Sequence, residues 1–402
     1  MSKSSLALSN LRAVVIVIVL AFHACLAYLA SNPVPGPFTQ PPFTWEAFPI
    51  VDSHRWLGFD IFCAWQDVSL MALMFFLSGL LTGPSLARKG ARVYMLDRLR
   101  RIGLPFVWAV LLLMPIALYP AYAVRTPDPS VGGYVQAWFS LPFWPSGPQW
   151  FLWQLVALNA MAAGLYFWAP GVLRDFRRFA AWAGEHPVRY YGALAGVGVL
   201  VYAPLAFVFS PWHWAIGLGP FALQLCRPGL YILVFFAGMA LGSYGLDRGL
   251  LACDGALARR WHWWLGAAVI TFFTWAGCTS LTFPTWTEAD IGAKLAASLT
   301  YAPACIAGGT FMLAVFLRFS RTRTRVLDSL SANAYTMYLV HYVFVVWLQY
   351  ALLGSDIPAI LKAAVVFTGT FVLSWGASVG LSRVLAGSYA IADKRPIWTL
   401  SR

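Results

Sequence analysis

Arg12 and His23 stand eleven residues apart in the first apolar run of the chain, Leu11 to Cys25 (LRAVVIVIVLAFHAC). On an α-helix that separation is a rise of about 16 Å and three turns plus roughly 20°, so both side chains face the same way. A charge at the centre of a bilayer costs about 2.5 kcal/mol or more, and ionisable groups kept there mark functional sites by default. A guanidinium at one mouth suits an anion. A neutral imidazole deep inside can take a proton from a hydroxyl or accept an acyl group itself. The plainer alternatives are a packed histidine bonded to a neighbouring helix and an arginine that anchors the membrane surface.

Other groups extend this constellation. His341 lies in Ser331 to Phe344 (SANAYTMYLVHYVF), about 15 Å into its helix and close to the depth of His23. Two histidines at one depth can share a cavity, or each can be satisfied by internal hydrogen bonds. Asp67 precedes Ser78 by eleven residues and shares its helix face near the outer boundary. An acid there would orient or charge-balance His23 through carboxylate–imidazole pairing, or be solvated at the interface. Arg98 and Arg101 fall one turn apart before Pro105. Paired guanidiniums suit bidentate phosphate binding, with orientation signals as the competing account. Trp150 and Trp153, in Gly147 to Leu155 (GPQWFLWQL), form an aromatic belt or a platform for a sugar ring, the belt being the commoner use. Ser78 and Gly79 close the run FFLSG, where small residues permit close helix approach.

The elements that must hold these groups are membrane helices. Sixty per cent hydrophobic residues, 11% charged residues and a mean hydropathy of +0.68 exclude an ordinary soluble domain. The length predicts an all-α polytopic bundle of about ten transmembrane helices, over 11–31, 63–86, 102–124, 149–170, 191–210, 227–246, 263–283, 294–317, 331–353 and 360–384. The whole of 1–402 reads as one membrane unit with no separate soluble domain. Its longest connections, around 32–62 and 125–148, are rich in proline and aromatic residues.

A net charge of +13 raises the question of nucleic acid, but the distribution of the cations argues against it. With the N-terminus inside, the inner loops hold Arg88, Lys89, Arg92, Arg98, Arg100 and Arg101, then further arginines at 174–189, 248–260 and 318–325. The outer side has Arg55, Arg125, Arg227, Lys294 and Lys362. This is a positive-inside pattern with both termini cytoplasmic. The six cysteines are scattered without a C-x-x-C, so neither a disulfide framework nor a metal site is indicated. The apolar N-terminal run reads as an uncleaved first helix rather than a signal peptide.

Taken in order, these motifs resemble the acyltransferase-3 family of integral membrane acyltransferases. The resemblance rests on the R-x10-H of Arg12 and His23, the FFLSG at 75–79, and the RxxR of Arg98 and Arg101 with Pro105. The W-F-L opening at Trp150, the FFAG at 235–238 and the Tyr338-to-His341 ending YLVH complete it. It implies transfer of an acetyl or succinyl group from cytoplasmic acyl-CoA, as co-substrate with no bound cofactor, to a hydroxyl of an extracytoplasmic glycan or glycolipid. The setting it implies is the inner membrane of a bacterium. His23, Asp67 and His341 would be catalytic, Arg12, Arg98 and Arg101 would bind the donor, and Trp150, Trp153 and Tyr338 the acceptor. Many members read G-V-D-L-F-F before the SG pair. Here the run is Met71-ALMFFLSG with the acid moved back to Asp67, which looks more like the branch containing the periplasmic-glucan succinyltransferases. The rival readings are a proton-coupled transporter or flippase, which also needs buried ionisable groups, and a scaffold for an envelope polysaccharide complex.

Overall fold

Apolar runs with few charges build helices wherever the backbone must bond to itself, and helices dominate the chain. The computed structural model describes residues 3–283 and 285–393, the side chains of 384–393 excepted. Its helices are α1 (Lys3–Cys25), α2 (Leu57–Arg98), α3 (Leu104–Trp108), α4 (Met114–Ala123), α5 (Val131–Phe139), α6 (Trp150–Trp168) and α7 (Val172–Glu185). They continue with α8 (Pro187–Phe209), α9 (Pro228–Tyr244), α10 (Ala256–Arg259), α11 (Trp261–Ser280), α12 (Ile291–Phe319), α13 (Arg325–Leu352) and α14 (Ala359–Asp393). A two-residue antiparallel ladder pairs β1 (Trp214–Ala215) with β2 (Leu223–Gln224).

All ten expected spans fall on helical segments, but their standing as membrane crossings differs. Among the described residues, six segments are long and apolar enough to cross a bilayer: Lys3–Tyr28, Leu57–Ala123, Gly147–Trp168, Pro187–Phe209, Ile291–Phe319 and Ala359–Arg383. Two expected spans share the segment Leu57–Ala123, which reverses where Gly90 takes φ +73 inside α2. At 17 residues α9 is shorter than the roughly 20 a crossing needs. The Trp-rich start of α11 at Trp261 to Trp264, and residues such as His341 and Gln349 along α13, dilute the hydropathy of these two helices.

Hydrogen bonds identify the two ends of the bundle. At one end Asn10 donates to Ser320 Oγ (2.9 Å), Ser9 meets Ser331 (2.6 Å), and Arg321 donates to Cys253 O (2.6 Å). Arg88, Arg92, Arg98 and Arg101 belong to this arginine-rich end. At the other end, Lys362 at the start of α14 meets Asp52, and Arg125 after α4 donates to Pro49 O (2.7 Å). α1 runs between the ends against α2, α12, α13 and α14, with Leu11, Ala13, Val15, Val19 and Leu20 buried.

α2 and α9 pack closely, and glycine makes it possible. A Cβ on Gly79 would collide with Phe235 O, one on Gly238 with Phe76 O, and one on Gly242 with Leu80 O. The FFLSG and FFAG runs therefore pack against each other, backbone to backbone, as small residues allow in membranes. Gly242→Ala is expected to cost about 1–3 kcal/mol through overpacking. A fall in the thermal unfolding midpoint in detergent would show it, and an unchanged midpoint would refute the close-approach account.

Candidate active site

α1 and α13 bring the two sequence-separated histidines into contact. His341 Nε2 lies 3.3 Å from His23 Nδ1, and the ring centroids are 4.9 Å apart. His341 is fully buried, and its Nδ1 is 2.6 Å from Tyr338 O. His23 Nδ1 also lies 2.9 Å from Val19 O. A carbonyl can only accept, so His341 Nδ1 carries the proton and donates. In a neutral ring His341 Nε2 is then an acceptor, and His23 Nδ1 must donate to it. Val19 O independently demands a donor on the same nitrogen. The proton of a neutral His23 is thus fixed on Nδ1, leaving Nε2 with a free lone pair. Gln349 braces the histidine's backbone, its Nε2 donating to His23 O (2.9 Å).

That imidazole lines a cavity of about 620 Å³. Its walls come from α1 (Val19, Phe22, His23), α2 (Gln66, Asp67, Met71), the loop at Pro42 to Phe48, the start of α6 (Trp150, Phe151), the 212–227 segment and α13 (Tyr338, Tyr342). A volume of this size with mostly apolar walls and a few polar groups suits a small-molecule site. Tyr342 presents its ring edge-on to His23, 5.5 Å between centroids.

Asp67 lines the same cavity, but its partner is not a histidine. Arg227 grips both carboxylate oxygens, at 2.7 Å and 2.5 Å, in a bidentate pair. The guanidinium is buried and also lies over the Tyr301 ring at 5.1 Å. The expected carboxylate–imidazole pairing with His23 is therefore replaced by a carboxylate–guanidinium pair, which is the stronger and geometrically better matched of the two. Trp150 lines the cavity, with Trp214 at 5.4 Å and Tyr231 stacked at 6.3 Å. Tyr338 lines it too, donating its hydroxyl to Pro148 O. Trp153 is outside the lining; its Nε1 donates to Ala222 O (3.0 Å), propping the loop before β2.

The three arginines stand apart from the cavity, at the other end of the bundle. Arg12 and Arg98 are close enough for their charges to interact. Arg98 also rests over the Tyr94 ring at 4.9 Å. Arg101 is largely exposed and is held by Asp97 at 2.7 Å, which Lys89 shares at 2.7 Å. Arg12 and Arg98 thus form a like-charge pair suited to an anion, and Arg101 flanks it. Buried Ala13, Val15, Ile16 and Leu20 separate this pair from His23 along α1.

Several cavity residues carry little sequence signal. Arg227 reads as one more outer cation, and its partner is 160 residues away. Gln66 is buried in the cavity wall with neither end of its amide hydrogen-bonded, and the buried Ser146 hydroxyl is equally unpartnered. Glu46 lies in a Pro- and aromatic-rich loop without a recognisable motif. Burial pushes its carboxyl up from the usual 4.5 to about 7, against the opposing effect of a hydrogen bond from the Ser146 backbone.

A family model described as an acyltransferase domain matches residues 5–379. No curated protein matches the chain, and no solved structure does.

Proposed function

Because the chain belongs to the acyltransferase-3 family, we propose that this membrane acyltransferase uses His23 as general base to move an acyl group from acyl-CoA to an acceptor hydroxyl in the cavity. The observation that carries the reading is the relay from Tyr338 O through His341 to His23, which leaves one basic nitrogen for the cavity. An acceptor hydroxyl donates to His23 Nε2. As its proton passes to the imidazole, the oxygen attacks the thioester carbonyl, a C–O bond forms and the C–S bond breaks. The imidazolium then returns its proton to the departing CoA thiolate. His341 holds the tautomer and disperses the charge, as a partner of a catalytic imidazole does. A transient acyl-imidazole at Nε2 is the variant of this path for an acceptor that arrives after CoA has left.

The like-charged Arg12 and Arg98 would receive the phosphates of acyl-CoA from the cytoplasm, with Arg101 alongside. The distance from Arg12 to His23 along α1, about 16 Å, is comparable to the reach of a pantetheine arm. The packed residues between them must part for the thioester to arrive. The aromatic wall at Trp150 suits a sugar ring of an extracytoplasmic glycan or glycolipid. The bacterial inner membrane is the matching location.

Incubating the purified protein with radiolabelled acetyl-CoA and succinyl-CoA tests the donor. Thioester cleavage or labelled protein is the expected result, and the faster substrate identifies the acyl group. No turnover with any short acyl-CoA would sink the reading. Mass spectrometry of envelope glycans from cells with and without the protein should show a difference of one acyl group on the acceptor.

A further inference from the structure

Three of the polar groups that line the cavity and take no part in the transfer chemistry stand out: Glu46, Gln66 and Ser146. Gln66 is 2% exposed and Ser146 0%, and both the Gln66 amide and the Ser146 hydroxyl are without a hydrogen-bond partner. A buried amide with no partner is destabilising, so its place in a cavity wall points to a polar ligand that completes it. Glu46 is set in the wall by its neighbours. Trp45 is fully buried, donates to Phe38 O (2.9 Å) and stacks on Phe38 at 4.3 Å. The carboxylate of Glu46 interacts electrostatically with Tyr342, whose ring meets His23. An acid and the catalytic imidazole therefore flank one tyrosine.

Charge decides what such a wall accepts. Among the described lining residues, Arg227 is the one arginine or lysine, and Asp67 already takes it bidentately. The other titratable groups facing the space are His23 on α1, His213 on the 212–227 segment, and Tyr338 and Tyr342 on α13. None of them supplies a permanent positive charge to balance Glu46. A second anion in this space would meet an uncompensated carboxylate, and juxtaposed like charges repel.

We propose that Glu46, Gln66 and Ser146 bind the acceptor through hydroxyls other than the one acylated, and that Glu46 selects uncharged polyhydroxyl acceptors over those carrying a carboxylate or phosphate. This rests on the reading of the cavity as the acceptor site and adds its specificity. Hydroxyls satisfy all three groups at once: they donate to Glu46, exchange hydrogen bonds with the two ends of the Gln66 amide, and pair with the Ser146 hydroxyl. The ionised fraction of Glu46 rises through about pH 7. Rejection of anionic acceptors therefore strengthens as the pH rises through that region.

The test is calorimetric titration of the full chain in lipid nanodiscs with a panel of neutral disaccharides and their uronic-acid counterparts. The wild-type protein should bind the preferred neutral sugar at least roughly tenfold more tightly than its acidic counterpart, and the gap should widen as pH rises through about 7. Glu46→Gln should narrow the gap to about twofold or less and remove its pH dependence, whereas Glu46→Asp should retain both. Equal binding of neutral and acidic sugars, binding of neither, or an unchanged gap in folded Glu46→Gln overturns the proposal. Thioester turnover by the wild-type protein is measured separately. Turnover without sugar discrimination discards the Glu46 assignment alone, while loss of all turnover discards the transferase mechanism.

Discussion

Replacing His23 by alanine is expected to lower acyl transfer by about 10³-fold, within the range for loss of a general base, while the protein remains folded. The fold should survive because the His23 ring sits at a cavity wall and its backbone carbonyl keeps the bond from Gln349. Replacing its partner should cost less and more selectively. His341→Ala removes the acceptor for His23 Nδ1–H but leaves Val19 O, so a loss of about 10–100-fold fits an orienting role. His341→Gln places an amide oxygen near the former Nε2 and should recover part of that loss. Rates measured with saturating acyl-CoA check the series. If His23→Ala keeps substantial activity, or if His341→Gln is no better than His341→Ala, the relay is not the catalytic device.

Lys362→Met should destabilise the protein by about 3–5 kcal/mol, the usual cost of orphaning one member of a buried ion pair. Lys362 Nζ lies 2.7 Å from Asp52 Oδ2, and both side chains are wholly buried. Asp52 also accepts from the backbone of His54 at 2.8 Å, so its carboxylate is fixed in place and cannot turn to water. Removing the ammonium leaves that buried charge facing the His54 imidazole, whose Nδ1 is 3.3 Å from Oδ1, in place of a permanent cation. Removing both charges with Asp52→Leu and Lys362→Met should cost less than the single change, because no orphaned charge remains. Thermal unfolding in detergent separates these outcomes, and a double variant no better than Lys362→Met would refute the charge argument. Activity should fall with stability. Asp52 belongs to the loop that supplies Pro42, Phe43, Glu46 and Phe48 to the cavity.

The same pair alters the meaning of the outer cations. In the sequence Arg55, Arg125, Arg227, Lys294 and Lys362 are the minority side of an orientation signal. In the fold each has an internal partner: Arg55 donates to Asn32 O, Arg125 to Pro49 O, Lys294 to Thr287 O, and the other two bind Asp67 and Asp52. They hold loops and the cavity wall together. These five cations are therefore used within the protein.

The sequence by itself determined the helical, apolar architecture and the spacing of the ionisable groups along each helix. Hydropathy is a sum over neighbours in the chain, and the α-helix converts residue spacing into rise and direction. Arg12 and His23 could thus be set on one face about 16 Å apart, and His341 at a depth similar to His23. The FFLSG run was visible as a small-residue segment and FFAG as part of the family resemblance, but their mutual contact was not. What the tertiary structure decided was which faces meet. His341 and His23 are 318 residues apart, and only the packing of α13 against α1 makes them a pair. Asp67 was legible as an acid near the boundary, and its depth agreed with a place beside His23. Arg227, 160 residues further on, takes it instead, because the start of α9 packs beside α2. Glu46, Gln66 and Ser146 gave no local signal at all. Their chemistry comes from burial in a shared cavity, which no stretch of chain encodes alone. Local pattern fixes depth and facing within a helix; rotation and neighbour choice between helices create the site.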